Sequence, residues 1–150
     1  MQDRYLSKAK RKDNGEWVQG VPFEIEGKTV ILINDTENLL RTHYLEENMW
    51  TSEIYAIEVD PSTICRCTGL KDKHGNLIWE NDIVNGSIKR GAAFYRCLVL
   101  WNECKARFDV RALGCNFPMT LDECADDISM SGFDYEVVGN KFDNPELLEE

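Results

Sequence analysis

The chain is a series of short apolar stretches separated by turn residues. Apolar and polar side chains alternate over residues 23–26 and 107–113, the period of two that is typical of a half-buried β-strand. Residues 30–33 and 97–101 are continuous apolar runs, and neither approaches the ~20 residues that a membrane-spanning helix requires. Many short strands with small turns between them predict a mainly β protein, either a barrel or a sandwich.

The individual strands follow from this pattern. They are predicted over residues 5–10, 16–21, 23–26, 28–33, 54–59, 63–68, 77–79, 83–84, 92–101, 107–113 and 135–139. Asn14-Gly15 suits a type I′ hairpin turn between the first two strands. Residues 36–52 are ambiguous, because Thr36 suits a helix N-cap and the apolar positions 39, 40, 44 and 45 have helical spacing.

One or two short helices are expected in the last third of the chain. Thr120 and Glu123 fit the capping-box pattern, in which the two side chains satisfy each other's backbone N–H groups. This pattern predicts a short helix over residues 121–128. Asn144 as N-cap and Pro145 at the first helical position begin a terminal turn or helix.

The most informative segment is residues 68–84, which read TGLKDKHGNLIWENDIV. Its polar hexapeptide, residues 71–76, contains Gly75, which accommodates the positive φ that closes a hairpin. Residues 77–79 then supply bulk that favours β structure. The segment predicts a strand, a tight turn, a second strand and a bend. Its carboxylates are interpreted as turn formers that accept hydrogen bonds from nearby backbone N–H groups.

Charge is unevenly distributed along the 150 residues, whose net charge is −10. Residues 1–12 hold five basic residues against one acidic residue, whereas residues 121–150 hold ten acidic residues against one lysine. An acidic protein is disfavoured as a non-specific binder of phosphate backbones. The basic stretch either contacts nucleic acid or pairs with an acidic surface in the same or a neighbouring subunit.

The six cysteines, at positions 65, 67, 97, 104, 115 and 124, are expected to be thiols in a cytoplasmic protein. They contain no CxxC pair, and the chain has two histidines, so no metal site is predicted. Cys65 and Cys67 share one face of a predicted strand, an arrangement that also suits a metal site or a disulfide. The preferred interpretation is that they are small residues that pack on that face. The basic start of the chain is not followed by an apolar segment, so a secretory signal is not expected.

No pattern in the chain predicts catalysis. It has no nucleophile elbow, phosphate-binding glycine loop or HExxH motif. His74 is interpreted as an exposed turn residue, and nothing marks His43 as a base. The carboxylates between 122 and 127 lack the alternating ligands and central glycine of a calcium loop. We therefore predict no catalytic residue, no cofactor and no enzymatic activity.

Four blocks of the sequence resemble the YopX family of phage and prophage proteins. They are residues 10–20 (KRKDNGEWVQG), 57–69 (IEVDPSTICRCTG), 68–84 and the closing EVVGN and DNPELL of residues 136–148. The blocks occur in the family's order and extend over nearly the whole chain. Trp79 replaces a common tyrosine, and Asn81 a common glycine, so the bend after Trp79 is expected to differ in shape.

This resemblance implies a mainly β protein with a small SH3-like β-barrel, an additional N-terminal β unit and one or two short helices. We accordingly predict an N-terminal β unit over residues 1–52, which either packs on the barrel or completes it, and a barrel region over residues 53–150. The resemblance also implies a phage or prophage origin. It brings no agreed catalytic residues, and fold by itself does not determine function.

We therefore predict a phage accessory protein of the bacterial cytoplasm that acts through protein contacts, with itself or with a host protein, and does not bind a membrane. An acidic surface suits a basic partner, or imitates DNA toward one. The predicted interaction surface consists of Trp50, Lys71, Asp72, Lys73, His74, Asp122, Glu123, Asp126 and Asp127.

The alternative is a nucleic-acid-binding protein, although the net charge disfavours it. Its aromatic barrel face would stack bases, and core packing competes with that role for Trp17, Trp79 and Trp101. Its basic contacts would be Lys8, Lys10, Arg11 and Lys12.

Overall fold

A computed structural model describes residues 5–33, 43–46, 49–51, 55–88, 94–114, 118–121 and 133–149. The strands are Ser7–Lys10 (β1), Trp17–Ile25 (β2), Lys28–Ile33 (β3), His43–Glu46 (β4), Met49–Thr51 (β5), Tyr55–Glu58 (β6), Cys65–Lys71 (β7), Leu77–Trp79 (β8), Asp82–Ile88 (β9), Phe94–Asn102 (β10), Arg107–Ala112 (β11), Pro118–Thr120 (β12) and Phe133–Asn140 (β13). Short 3₁₀ helices occupy Pro61–Thr63 and Pro145–Leu148. The predicted mainly β class is confirmed. No helix within these ranges is long and apolar enough to cross a bilayer.

The chain forms two compact units, Tyr5–Cys65 and Arg66–Glu150. The N-terminal unit contains an antiparallel sheet with the strand order β6-β3-β2-β1. The C-terminal unit contains the β7–β8 hairpin and an antiparallel sheet with the order β12-β11-β10-β9-β13. The division into domains at residue 52 stays a prediction.

Two hairpin turns shape the N-terminal sheet. Glu26 and Gly27, between β2 and β3, have φ of 51° and 75°, the two positive values that a type I′ turn requires. The type I′ turn predicted at Asn14-Gly15 is wrong. Gly15 alone of that pair has a positive φ, and its N–H donates to the Arg11 carbonyl at 3.0 Å across a longer loop.

The N-terminal sheet curls until the end of β1 meets the end of β6. Arg11 and Val59 form an isolated antiparallel bridge, and the Asp60 N–H donates to the Lys10 carbonyl at 2.8 Å. The concave side is the core, where Ala9, Ile31 and Val59 are fully buried. Partly buried side chains complete it, namely Val18, Ile33, Ile57 and Ile64.

Gly20 lies on β2 where the chain approaches β3 closely. A Cβ at this position would fall against the backbone carbonyl oxygen of Leu32. Because that obstacle is backbone, a larger residue would displace the strand itself. Glycine at position 20 therefore allows the two strands to approach.

The C-terminal unit has the larger core, on the inner face of its five-stranded sheet. The buried members are Ile78, Val84, Cys97, Val99, Val110, Ala112, Leu121 and Tyr135. In the described part of the chain β12 and β13 are opposite edges of the sheet and do not pair. The sheet is therefore open between β12 and β13 in the described residues. The SH3-like barrel expected from the resemblance is not closed.

The ambiguous segment 36–52 is partly resolved. His43–Glu46 and Met49–Thr51 pair as antiparallel strands, with Tyr44 opposite Trp50. The helical interpretation is thus wrong for residues 43–46, because strand pairing prevailed over an apolar spacing compatible with either structure. Residues 34–42 lie outside the described ranges.

The two predicted C-terminal helices have different outcomes. Pro145–Leu148 is a 3₁₀ helix with Asn144 as N-cap and proline in its first turn, which confirms the terminal turn or helix. The helix predicted over 121–128 falls outside the described residues after Leu121.

Candidate functional site

The hairpin of β7 and β8, whose turn lies within residues 68–84, is called the signature hairpin. Its turn is organised by Asp72. This carboxylate is 7% exposed, and its Oδ1 accepts hydrogen bonds from the N–H groups of His74 and Asn76, both at 2.9 Å. Its Oδ2 accepts from the Val137 N–H of β13 at 3.2 Å. Asp72 was predicted to belong to an interaction surface, but it faces inward and joins the turn to the neighbouring strand.

Burial raises the pKa of Asp72, but the N–H donors of Asn76, Val137 and His74 together lower it by more. The net result is a pKa below the ordinary value for aspartate. A carboxylate that accepts several backbone hydrogen bonds is stabilised in its charged form. Asp72 is therefore ionised in the folded protein at neutral pH.

Lys73 and His74 lie on the surface of the same turn and contact β13. The Lys73 N–H donates to the Tyr135 carbonyl at 2.9 Å, and its Nζ lies 2.7 Å from Glu136 Oε2. His74 Nε2 lies 3.3 Å from Glu136 Oε1. Hydrogen bonds from Lys73, and then from His74, lower the pKa of Glu136. Such solvent-exposed pairs contribute little to stability.

A small cavity lies beside this turn. Its volume is about 190 Å³, below the roughly 300–1,000 Å³ typical of small-molecule sites. Lys71 is exposed at its edge, and Ile78 and Tyr135 are among its apolar lining residues. The cavity is therefore a less convincing candidate site than the surfaces around it.

The bend after Trp79 keeps the backbone conformation that glycine would favour. Asn81 has a φ of 68°, a left-handed conformation that asparagine tolerates better than most residues. Asp82, 1% exposed, accepts a hydrogen bond from the Trp79 N–H at 2.8 Å. The bend was expected to differ in shape because asparagine replaces glycine at position 81. Its backbone nevertheless has the positive φ that glycine readily adopts. Asp82, like Asp72, is a turn former.

The outward side of β2 presents a surface that the sequence analysis did not single out. Val21, Phe23 and Ile25 are 46%, 56% and 42% exposed, and alternate residues of a strand share one face. The strand register places Lys8 and Lys10 opposite Gln19 and Trp17 on that same face. We call the set Lys8, Lys10, Trp17, Val21, Phe23 and Ile25 the β2 face.

Two lysines stand over the aromatic ring at one end of the β2 face. Lys8 Nζ and Lys10 Nζ lie 5.2 and 5.5 Å from the Trp17 ring centroid, within cation–π range. At the other end Lys28 is opposite Ile25, and its Nζ lies 3.2 Å from Glu58 Oε2. The face is thus apolar in its middle, with Lys8 and Lys10 at one end and the Lys28–Glu58 ion pair beside the other.

The exposed β2 face could have been predicted from the apolar pattern of residues 17–25. The alternation over residues 23–26 predicts a half-buried strand, whose apolar side ordinarily faces a core. Residues 17–25 carry apolar side chains at both odd and even positions, more than one buried face requires. Val18 packs toward the core, which leaves Phe23 and its odd-numbered neighbours outside.

The four basic residues of the nucleic-acid alternative do not act as one patch. Lys8 and Lys10 belong to the β2 face, whereas Arg11 Nε donates to Asp13 Oδ1 at 2.9 Å. Lys12 Nζ donates to Glu58 Oε1 at 2.8 Å, and this hydrogen bond is the main cause of a lowered pKa at Glu58. Arg11 and Lys12 line a surface groove in which these charges are already paired.

The aromatic residues proposed for base stacking are largely covered. Trp79 is 7% exposed. Trp101 packs edge to face with Phe108, with ring centroids 4.9 Å apart, and the Arg66 guanidinium lies 5.1 Å from its ring centroid. These contacts support the packing interpretation of Trp79 and Trp101.

The remaining predicted site residues are placed only in part. Trp50 lies in β5, and its side chain is not described. The predicted acidic cluster, Asp122, Glu123, Asp126 and Asp127, lies outside the described residues, as do Cys115 and Cys124. Within the described ranges no group of three or more His, Cys, Asp or Glu side chains is arranged to hold a metal ion.

Comparison with known proteins places the chain in a family. A family model described as YopX protein matches residues 8–149, a range that begins in β1 and ends just after the second 3₁₀ helix. The match includes both the signature hairpin and the β2 face. No curated protein matches the chain.

Proposed function

Because the chain belongs to the YopX family, whose signature is built into its C-terminal unit, we propose that it is a phage or prophage accessory protein. It acts in the bacterial cytoplasm through protein–protein contacts and without catalysis. Its docking surface is the β2 face. The resemblance of its motifs to phage and prophage proteins supports the origin, and the exposed apolar side chains support the mode of action.

The observation that carries this proposal is the exposure of Val21, Phe23 and Ile25 side by side. Contiguous exposed apolar side chains rimmed by polar residues are typical of protein-binding sites. Burying the exposed part of each side chain against a partner would contribute about 1 kcal/mol per residue. Aromatic residues at the centre of such a surface carry a large share of binding energy, so Phe23 is the expected anchor.

A nucleic-acid partner fits this face less well. Lys8 and Lys10 already occupy the surroundings of the Trp17 ring. Trp17 and Phe23 are six residues apart on one strand, which separates them by about 20 Å, so they cannot sandwich successive bases. The net charge of −10 also opposes association with phosphate backbones.

Photo-crosslinking tests the proposal directly. A benzophenone amino acid at position 23 is expected to form protein adducts in cells that survive nuclease treatment. Position 24 is the matched control, because Glu24 is also exposed but points to the other side of the strand. Equal adducts at both positions, or adducts at 23 that disappear with nuclease, would contradict a protein-docking role for this face.

A further inference from the structure

The charges at the ends of the β2 face select the chemistry of its partner. Lys8 and Lys10 lie at one end and Lys28 at the other, with Glu58 beside Lys28. A complementary ligand therefore has apolar side chains in its middle and carboxylates next to them. Opposite charges at the rim steer association and fix orientation.

This chain contains a segment with that chemistry. Residues 145–150 read PELLEE, with two leucines flanked by glutamates. In the structure Leu147 and Leu148 are partly buried, while Glu146 and Glu149 are exposed. The rest of the last thirty residues is also strongly acidic, so the segment approaches a basic surface favourably.

The segment is already held in shape. Pro145–Leu148 is a 3₁₀ helix, and the Arg96 guanidinium donates to the Leu147 carbonyl at 3.5 Å. The Leu147 N–H donates to the Asn144 carbonyl at 3.0 Å. A segment that is ordered before binding loses less conformational entropy on docking.

We propose that the occupant of the β2 face is the 145–150 segment of a second copy of this chain. This inference rests on the proposed docking role of the face. The contact joins two different surfaces, so it is heterologous and builds rings or open chains of subunits. Each subunit then uses its β2 face toward one neighbour and its 145–150 segment toward the other.

Two variants test the contact by complementation in sedimentation velocity. The face variant is Phe23→Ser with Ile25→Ser, and the segment variant is Glu146→Lys with Glu149→Lys. All four side chains are exposed, so both variants are expected to keep the fold. The wild type is expected to self-associate at micromolar concentration, and each variant to lose at least tenfold in association constant.

Mixing the two variants is the decisive measurement. The face variant retains an intact segment and the segment variant an intact face, so the mixture is expected to form a 1:1 heterodimer that grows no further. Glu103→Lys, which reverses an exposed carboxylate in the β10–β11 turn, is expected to assemble like the wild type. Added salt is expected to weaken all of these complexes.

Three results would overturn the inference. The first is a wild type that stays monomeric at a protein concentration about 100 times the expected micromolar one. The second is a segment variant that assembles like the wild type. The third is a mixture of the two variants that forms no heterodimer. Loss of assembly in the face variant alone indicates that two β2 faces pair with each other. If the chain is monomeric while position 23 still crosslinks to another protein, the docking role survives and self-association does not.

Discussion

The two units of this protein expose apolar side chains to different extents. Among the described residues, the core cluster of the N-terminal sheet has three buried members, and Val21, Phe23 and Ile25 lie outside it. The corresponding cluster of the C-terminal unit has eight buried members. The signature hairpin lies in the unit with the larger described core, and the β2 face lies in the other. The proposed docking surface therefore lies in the unit with the smaller described core.

The units also use carboxylates differently. In the C-terminal unit Asp72, Asp82 and Asp109 are buried, and they accept hydrogen bonds from backbone N–H groups or from side chains such as Arg107 at 2.8 Å. In the N-terminal unit Glu58 pairs with lysines at the surface. Part of the stability of the C-terminal unit therefore depends on buried, hydrogen-bonded carboxyl groups, whose loss is costly.

The largest loss of stability is expected from a cavity in either core, and the two cores are expected to respond differently. Ile31→Ala and Ile78→Ala each remove the same side chain from a fully buried site, and each is expected to cost about 3–4 kcal/mol. Because the N-terminal core is smaller, Ile31→Ala is expected to remove hydrogen-exchange protection throughout β1, β2, β3 and β6 while β9–β11 stay protected. Identical protection loss in both variants would show that the units unfold as one.

Asp72→Ala tests the role of the buried carboxylate and is expected to cost about 2–3 kcal/mol at pH 7. It leaves the N–H groups of His74, Asn76 and Val137 without their acceptor. The pKa of Asp72 is lowered in the folded state, so its contribution is present above the unfolded value of about 3.9 and is lost as pH falls through the folded value.

Urea unfolding at pH 7 and near pH 3 measures this dependence. The stability difference between wild type and Asp72→Ala is expected to shrink at the lower pH. Lys71→Ala, one residue earlier and exposed, is the control and is expected to change little. A difference that stays constant with pH would mean that Asp72 contributes through packing and not through its charge.

A smaller effect is expected at the bend of the signature. Asn81 has a positive φ, which costs an L-residue with a Cβ about 1–2 kcal/mol. Asn81→Ala and Asn81→Gly lose the same side-chain contacts, but glycine alone is relieved of that strain. The alanine variant is therefore expected to be less stable by about 1 kcal/mol. Equal unfolding midpoints would contradict a backbone requirement at this position.

The smallest effect on the free energy of unfolding is expected at Phe23, on the β2 face. Phe23→Ser removes an exposed side chain and is expected to change the free energy of unfolding by about 0.5 kcal/mol or less. Phe108→Ser, at a partly buried ring against Trp101, is expected to cost more than about 1 kcal/mol. If Phe23→Ser proves equally damaging, the β2 face contributes to folding and its exposure is no argument for binding.

Local patterns predicted the elements of this protein well. Alternation and turn residues indicated most strands, the signature hairpin around Gly75 and the terminal turn after Asn144. They also indicated that Asp72 and Asp82 serve the backbone. Each of these features depends on residues close together in sequence, where side-chain size, allowed φ and short hydrogen bonds decide the outcome.

Which face of each strand is buried depends instead on contacts between residues distant in sequence. The type I′ turn lies at Glu26-Gly27 and not at Asn14-Gly15, because the pairing of β2 with β3 sets the loop length there. Phe23 points outward because Val18 and Ile31 already fill the concave side of the sheet. Local patterns were thus sufficient to predict a mainly β chain and the hairpin around Gly75. Long-range strand pairing determined the β2 face, because register and curl depend on partners distant in sequence.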